Sequence, residues 1–404
     1  SKDMEGSDLE TRRRSAVELV RALLKLFSVK TSDLCSTYVE TLILQYNTSG
    51  DWKLKDAALH LILAMSVLSS SASQGANELN PNVKILDLFN KYVLPELVEV
   101  QTMKERPVLK ADVIKLVCIF RSHLDVQQIS GVIFPQLITY LTSSDVVIHT
   151  YAALCIEKFL SLKTADSNCK MVVKLTKSHI NSYMQQLFTN LFALVEGNSA
   201  AAENDYVMKC VMRVLLVLGT DMIPALEMIA NKLTTILARV CKNPINPLFN
   251  HYLFECLAVM IRTGCEESQG EGGTGGVTKD LVAANCTKFE QLLFPSFQLV
   301  LAQDVTEFIP YVFQVLAQLL YYRPTAGLSD AYQALFPPLL SPTLWERKGN
   351  VPALMELFNS YIMKGMDFIV TKGFLMGVLG IFQKLLASKV CMCSIDYCCD
   401  MFLL

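Results

Sequence analysis

Val93-Leu94-Pro95-Glu96-Leu97, Ile133-Phe134-Pro135-Gln136-Leu137, Met222-Ile223-Pro224-Ala225-Leu226, Leu293-Phe294-Pro295-Ser296-Phe297 and Leu335-Phe336-Pro337-Pro338-Leu339 are five versions of one local pattern. Each places a proline in an apolar frame within a helical stretch. Pro95 and Pro135 are 40 residues apart, Pro295 and Pro337 are 42, and Pro135 and Pro224 are 89, about two units with the middle proline missing. A period of roughly 40–47 residues with two helices per unit is the signature of a HEAT or armadillo array. The proline is expected to open the second helix of each pair, because the first-turn N–H has no intrahelical partner to lose. The fold class this implies is all-α: a right-handed α-solenoid of antiparallel HEAT helix pairs.

Working outward from these frames, apolar residues recur at helical spacing along most of the chain. Leu9 to Phe27 opens the series, with Ala16, Leu19, Val20, Leu23, Leu24 and Phe27 on one face and Asp8 or Thr11 as its cap. Leu34 to Tyr46 and Trp52 to Leu68 follow, then a loop over Ser69 to Pro81, then Val83 to Val100 bent at Pro95. The clearest pairs come next: Val108–Ser122 with Gln128–Thr142, Val146–Leu162 with Lys177–Val195, Asp205–Leu218 with Met222–Cys241, and Leu248–Arg262 with Leu281–Ala302. Val305–Tyr322 with Ser329–Leu340, and Val351–Met363 with Asp367–Leu386, complete the series. No alternating β-branched run rises above this helical pattern. The array is expected over residues 1–389, with a flexible Gly-rich insertion at 264–280 and a divergent Cys-rich tail at 390–404.

The 404 residues are 52% hydrophobic, which helices buried on more than one side account for. No stretch of 18 or more predominantly apolar residues is expected; Phe308 to Tyr322 is uncharged but only 15 residues long, so no membrane insertion is implied. Thirty-six basic and 38 acidic residues give a net charge of −2, without the basic excess of a nucleic-acid binder. Thirteen cysteines and no visible signal peptide suit a reducing compartment. Cys118, Cys155, Cys210 and Cys256 lie in apolar helical runs as small hydrophobes. The sequons at Asn47 and Asn285 read as chance matches. The opening on a charged segment from Ser1, with no polar cap helix, reads as the interior of a longer array.

Several motifs fail on context. Gly270-Glu271-Gly272-Gly273-Thr274-Gly275 matches a dinucleotide fingerprint formally, but a helix precedes it, so it reads as a flexible loop. Cys391-Met392-Cys393 with Cys398-Cys399 fits no common zinc spacing and reads as a non-native or alternatively spliced tail. His149 and His251 sit near helix starts beside tyrosines, as packing or capping residues. No nucleophile–base pair has motif support, so no catalytic residue, cofactor or metal site is assigned. Lys110, Asp112, Asn250, His251, Glu255, Glu307 and Gln314 interrupt apolar helices, and inter-helix hydrogen bonding explains most of them. Three consecutive arginines, Arg12 to Arg14, span most of a helical turn, so at least one must face a neighbour or a partner.

Longer strings go beyond generic helical-repeat character. They include Asp51-Trp52-Lys53-Leu54-Lys55-Asp56-Ala57-Ala58, Pro107-Val108-Leu109-Lys110-Ala111-Asp112, His149-Thr150-Tyr151-Ala152-Ala153, and Lys242-Asn243-Pro244 running into Phe249-Asn250-His251-Tyr252. Glu307 to Val315, and Leu344-Trp345-Glu346-Arg347 with Gly349-Asn350-Val351-Pro352-Ala353-Leu354, extend the series. Together these resemble the CAS, or exportin-2 type, karyopherin-β family, collinearly from about residue 3 to Lys389. The likeness is to the middle of that family's chain. It implies a nuclear transport receptor shuttling between nucleus and cytoplasm, binding importin-α together with Ran-GTP, with nuclear pore proteins as further candidate partners and no nucleic acid. It also implies a Ran contact for Glu5, Asp8, Thr11, Arg12, Arg13 and Arg14, although the family's principal Ran-binding repeats have no counterpart in this sequence. Glu255 and Glu307 are candidate acids for a basic importin segment. The alternative is a HEAT-repeat structural scaffold subunit with no GTPase dependence.

Overall fold

Helix starts in this chain are set by side chains that satisfy otherwise orphaned backbone N–H groups. Thr11 accepts from the Arg14 amide, Asp51 from Lys53, Asp125 from Gln127 and Gln128, Asp145 from Val147 and Ile148, and Asn246 from Leu248 and Phe249. The structure, a computed structural model, describes residues 11–100, 106–165, 169–197, 202–267, 277–324 and 327–387. Glu5, Asp8, the centre of the Gly-rich insertion and the Cys-rich tail lie outside the described residues.

The chain divides into two compact units, Ser1–Val217 and Leu218–Leu404. The first holds α1 (Arg12–Leu26), α2 (Ser28–Ser49), α3 (Trp52–Ser66), α4 (85–98), α5 (Pro107–Phe120), α6 (126–140), α7 (Val146–Leu160), α8 (177–195) and most of α9 (Asp205–Leu218). Within this unit α2 packs on α3, α4 on α5, and α6 on α7, while α3, α5 and α7 also pack side by side. The second unit holds α10 (Leu226–Val240), α11 (Pro247–Cys265), α12 (Lys279–Ala302), α13 (Ile309–Tyr322), α14 (Asp330–Leu339), α15 (Pro342–Glu346), α16 (Val351–Thr371) and α17 (Leu375–Ala387). There α11, α13 and α16 form one row, and α10 and α12 pack against it. Phe336 seals the last pairs, its ring within 4.8–5.9 Å of Phe358, Tyr361, Phe368 and Phe374. The expected all-α array of helix pairs is what the chain forms within each unit.

Most of these prolines sit elsewhere than expected. Pro95 and Pro135 lie inside their helices, each just after a π-helical turn, Phe89–Val93 and Ile129–Ile133. The Leu94 amide reaches back to Phe89 and the Phe134 amide to Ile129, five residues away. Proline lacks the amide and crowds the carbonyl four residues before it. A widened turn of five-residue bonds relieves that conflict without ending the helix. Pro295 and Pro337 are also interior to α12 and α14, and Pro224 lies in the 3-10 segment Gly219–Ala225. Only the Pro224 frame stands at a helix start, leading into α10; the other four lie inside their helices.

Three further readings are corrected. Ser69 to Pro81 is not a loop: β1 (Val67–Ser71) pairs antiparallel with β2 (Gly75–Leu79), and a second hairpin joins β3 (Lys163–Ala165) to β4 (Met171–Val173). Alternation could not reveal them, because β3 and β4 are exposed throughout and β1 buries only Val67. The final pair breaks differently: α16 kinks at Gly365 but continues to Thr371, and Gly373 with φ 73° ends it. Finally, the helical stretch Asp205–Val240 is long and apolar enough by length and composition to cross a membrane, contrary to the sequence expectation. It is divided by the 3-10 turn around Pro224, and each half carries the buried stripe of a packed helix, Val207, Cys210, Val211 and Val214 in one and Ile229, Leu233, Ile236 and Leu237 in the other.

The first hairpin is bound to the end of α5. Arg121 donates to the Ala72 and Cys118 carbonyls at 2.8 and 2.6 Å, and Ser122 Oγ donates to the Ala76 carbonyl at 3.0 Å. Gly75 makes this possible: its φ is +81°, and a Cβ there would lie 2.2 Å from the Ile119 carbonyl oxygen. Gly50 has a similar φ of +73° and open space around it. Gly75→Ala is therefore expected to lower stability by about 2 kcal/mol or more, and Gly50→Ala by about 1 kcal/mol, the left-handed strain alone. Thermal unfolding of the two variants checks this; equal losses would show that the backbone contact with Ile119 does not matter.

Candidate partner-binding surface

Helix α1 carries the residues for which a partner contact is expected. Thr11 Oγ1 caps it, accepting from the Arg14 amide at 3.2 Å, so Thr11 has a structural task of its own. Arg12 is exposed, and Arg14 Nε donates to Glu18 one turn on at 3.0 Å. Arg13 turns toward α3: its Nη2 donates to Asp56 Oδ2 at 2.7 Å and its Nη1 lies 2.6 Å from His60 Nε2. One of the three arginines does face a neighbour, and that neighbour is the chain itself. Four turns of helix leave only Leu24 buried on α1, with Leu19, Leu23 and Leu26 exposed.

The polar residues inside the helices divide into partnered and unpartnered ones. Lys110 and Glu96 are both fully buried and paired at 3.0 Å, Lys110 also donates to the Glu96 backbone carbonyl, and Lys55 completes the group 2.6 Å from Glu96 Oε2. Burial alone would raise the Glu96 pKa; the Lys55 hydrogen bond and the Lys110 charge bring it net below the usual value. Burial lowers that of Lys110 despite Glu96. Glu157, on α7, is paired with Arg213 at 3.2 Å and with Lys158 at 3.4 Å. His149 lies against the Ser143 carbonyl and His251 against Tyr311, packing roles as expected. Asn285 is buried with its amide donating to the Gly264 carbonyl at 2.7 Å, so its sequon cannot carry a glycan. Asn250 is buried with neither side-chain atom hydrogen-bonded among the described residues.

In the second unit, α11 and α13 leave a shallow groove between them, lined by Phe254, Glu255, Arg262, Tyr311, Gln314 and Gln318. Burial holds the Glu255 pKa above the usual carboxylate value, against the opposing charges of His251 and Arg262. Glu307 sits apart from it, exposed on the turn that precedes Ile309. A half-buried carboxylate among aromatic and amide groups is a suitable acceptor for a basic or hydrogen-bonding side chain entering the groove.

A constellation that the sequence reading did not single out lies where α1, α3 and α5 meet. Asp56 and His60 are one turn apart on α3, and Asp112 approaches from α5. His60 Nε2 is 3.5 Å from Asp56 Oδ1 and 3.4 Å from Asp112 Oδ1. Asp56 is 5% exposed, and burial first, then the Asp112 carboxylate, pushes its pKa up to about 6. The Asp56–His60 spacing is legible in sequence; the approach of Asp112 is not, because it depends on how α3 and α5 pack.

Residues 157–392 match the family described as "CAS/CSE protein, C-terminus", and residues 1–156 match the family described as "Cse1". The chain belongs to the CAS/CSE family. It is 38% identical over 392 residues to Exportin-2 of Oreochromis niloticus, 38% over 391 residues to Exportin-2 of Drosophila melanogaster, and 37% over 393 residues to Exportin-2 of Homo sapiens. In each case 96% of this chain is covered, but only 38% of the relative's length. Among solved structures it is similar to the exportin Cse1 in its cargo-free, cytoplasmic state, with a TM-score of 0.80 and 29% identity, again over 96% of this chain and 38% of that one. The helix pairs are thus those of a HEAT-repeat α-solenoid, and the resemblance read from the sequence strings is borne out at the level of the family.

The buried Lys55–Glu96–Lys110 group gives a stability test within this family frame. Lys110→Met removes one cation from a carboxylate with no access to water and is expected to cost about 3–5 kcal/mol at pH 7. Adding Glu96→Gln should restore part of that loss, because the fully buried carboxylate is then gone and Lys55, 13% exposed, is left with an amide oxygen as its acceptor. Because the folded Glu96 pKa is depressed, its contribution is complete above the unfolded value and is lost as pH falls through the folded one. The wild-type advantage over Lys110→Met should accordingly shrink on acidification. Denaturant unfolding across pH 3–7 measures both effects, and a pH-independent difference would contradict the pairing.

Proposed function

We propose that this chain acts in nuclear export, as part of a transport receptor that binds importin-α together with Ran-GTP and shuttles between nucleus and cytoplasm. The observation that carries this reading is membership of the CAS/CSE family along nearly the whole chain, with relatives called Exportin-2 at about 38% identity. The geometry is compatible with binding. In an array of helix pairs each repeat touches only its neighbours, so small rotations between repeats add up, and a bound partner selects one curvature over another.

Within that reading, Glu255 in the α11–α13 groove and the exposed Glu307 are the acids offered to a basic importin segment. Complementary charge of this kind contributes mainly to association rate and to the choice of partner. Thr11, Arg12 and Arg14, with Glu5 and Asp8 ahead of them, are the residues offered to Ran. Arg13 differs from its neighbours: its guanidinium is engaged by Asp56 and His60, so a contact with Ran would require it to leave them. Nuclear pore proteins are further partners under this proposal.

The test is capture of purified importin-α by the immobilised chain, with Ran loaded with a non-hydrolysable GTP analogue or with GDP. Capture in the GTP form alone is expected, and Arg12→Ala with Arg14→Ala should reduce it at least threefold. Equal capture in both nucleotide states would favour a structural scaffold, and no capture by a chain with native helical content would overturn the proposal.

A further inference from the structure

The junction of α1, α3 and α5 has an imbalance that its own residues do not resolve. Three groups bring acceptor atoms to one small volume: Asp56, Asp112 and His60 each offer a ligand atom, all within 4.8 Å of one another, with His60 Nε2 3.5 and 3.4 Å from Asp56 Oδ1 and Asp112 Oδ1. If Nε2 carries no proton, it can accept from Arg13 Nη1 at 2.6 Å, but then it faces two carboxylate oxygens lone pair to lone pair. If Nε2 is protonated, it can serve one carboxylate, but then it confronts the guanidinium donor to donor. Neither tautomer satisfies the set. Asp56 Oδ1 and Asp112 Oδ2 have no hydrogen-bond partner, both atoms are shut off from solvent, and Asp56 as a whole is 95% buried. Native proteins rarely leave buried carboxylate oxygens unpaired, because the cost of desolvation is not recovered.

Charge points the same way. Two carboxyl groups are crowded together here, with the Arg13 guanidinium and the His60 ring beside them. A divalent ion between the carboxyl groups offsets that crowding, and Arg13, 55% exposed along its side chain, is free to swing into solvent when that happens. The spacings fit as well. A tetrahedral ion with ligand bonds of about 2.0–2.1 Å has ligand–ligand edges of roughly 3.4 Å, and the two edges from His60 Nε2 are 3.4 and 3.5 Å. One imidazole with two carboxylates is a donor set for zinc and its first-row neighbours, not for magnesium or calcium, which take oxygen ligands alone.

We propose that Asp56, His60 and Asp112 form a binding site for a zinc-like divalent cation, and that Arg13 occupies its mouth as the competing cation of the metal-free chain. The fourth position faces the Arg13 side and would hold water or a partner's ligand. Such a site would clamp α3 to α5 by bonds to the ion, in addition to their packing and to the Lys55–Glu96–Lys110 group that already links them.

Cobalt(II) added to the full chain tests this directly, since its visible d–d absorption reports coordination and thiolate ligands add a separate near-ultraviolet charge-transfer band. A saturable visible band at one equivalent, without growth of the thiolate band, is expected. His60→Gln and Asp112→Asn should each weaken binding at least tenfold while far-ultraviolet circular dichroism stays native. Arg13→Gln, which removes the competitor and alters no ligand, should tighten binding at least threefold. The proposal is overturned if no saturable visible band forms below millimolar cobalt, if the band survives His60→Gln and Asp112→Asn unchanged, or if Arg13→Gln weakens it.

Discussion

Every helix in the interior of these rows has to bury more than one face, and the rest of the structure follows from that constraint. Nine of the 14 residues of α5 and ten of the 15 of α7 are buried, whereas α1, at the edge of its row, buries one. A helix so covered cannot be stable alone in water, because its apolar surface is satisfied only by the pair partner on one side and the next pair on the other. At about 25 cal/mol per Å² of apolar surface removed from water, this burial is the main favourable contribution along the array. Its repetition also explains the high hydrophobic fraction and the cysteines. Cys118, Cys155, Cys210 and Cys256 are all buried, where a thiol is one more small apolar side chain.

The same burial turns each polar residue inside a helix into a structural decision. Lys110 is completely covered and needs Glu96; Glu96 in turn takes a second cation from Lys55. Asn190 donates to the Ile138 carbonyl and Asn80 to the Met65 carbonyl, joining elements 52 and 15 residues apart in sequence. The first fixes one helix against another and the second fixes the segment after β2 against α3, which apolar packing alone leaves loosely specified. The α1–α3–α5 junction is the place where this economy is incomplete, with converging acceptors and a single shared guanidinium. Partly satisfied buried networks are unusual enough to be read as functional.

The prolines show how a sequence signal can be right about period and wrong about place. Their spacing marked the repeat, but a proline was expected at the first turn, where it is tolerated without adjustment. Packing instead keeps Pro95 and Pro135 in mid-helix and absorbs them with a π-helical turn on the N-terminal side. Tertiary burial of Tyr92, Val93 and Leu97 around one, and of Ile133, Phe134 and Leu137 around the other, outweighs the local cost of the irregular turn. The exposed hairpins escaped notice for the complementary reason: with no buried face on β3 or β4 there is no alternation to read.

What the sequence determined by itself was the class and the family. Helical periodicity, a repeat near 40 residues and ordered strings such as Asp51–Ala58 and Glu307–Val315 are local properties, carried by neighbouring residues and legible without a fold. The caps were equally local, since Asp51, Asp125, Asp145 and Asn246 each serve amides two or three residues on. The partners of Arg13 were not, and neither was the meeting of Asp112 with Asp56 and His60. Those residues are 43, 47 and 52–56 positions apart in pairs, and only the packing of α1 and α5 against α3 brings them together. A side chain's neighbours within a turn follow from helical geometry, but its neighbours across an interface depend on the rotation and offset of two helices, which the summed burial of the whole row decides.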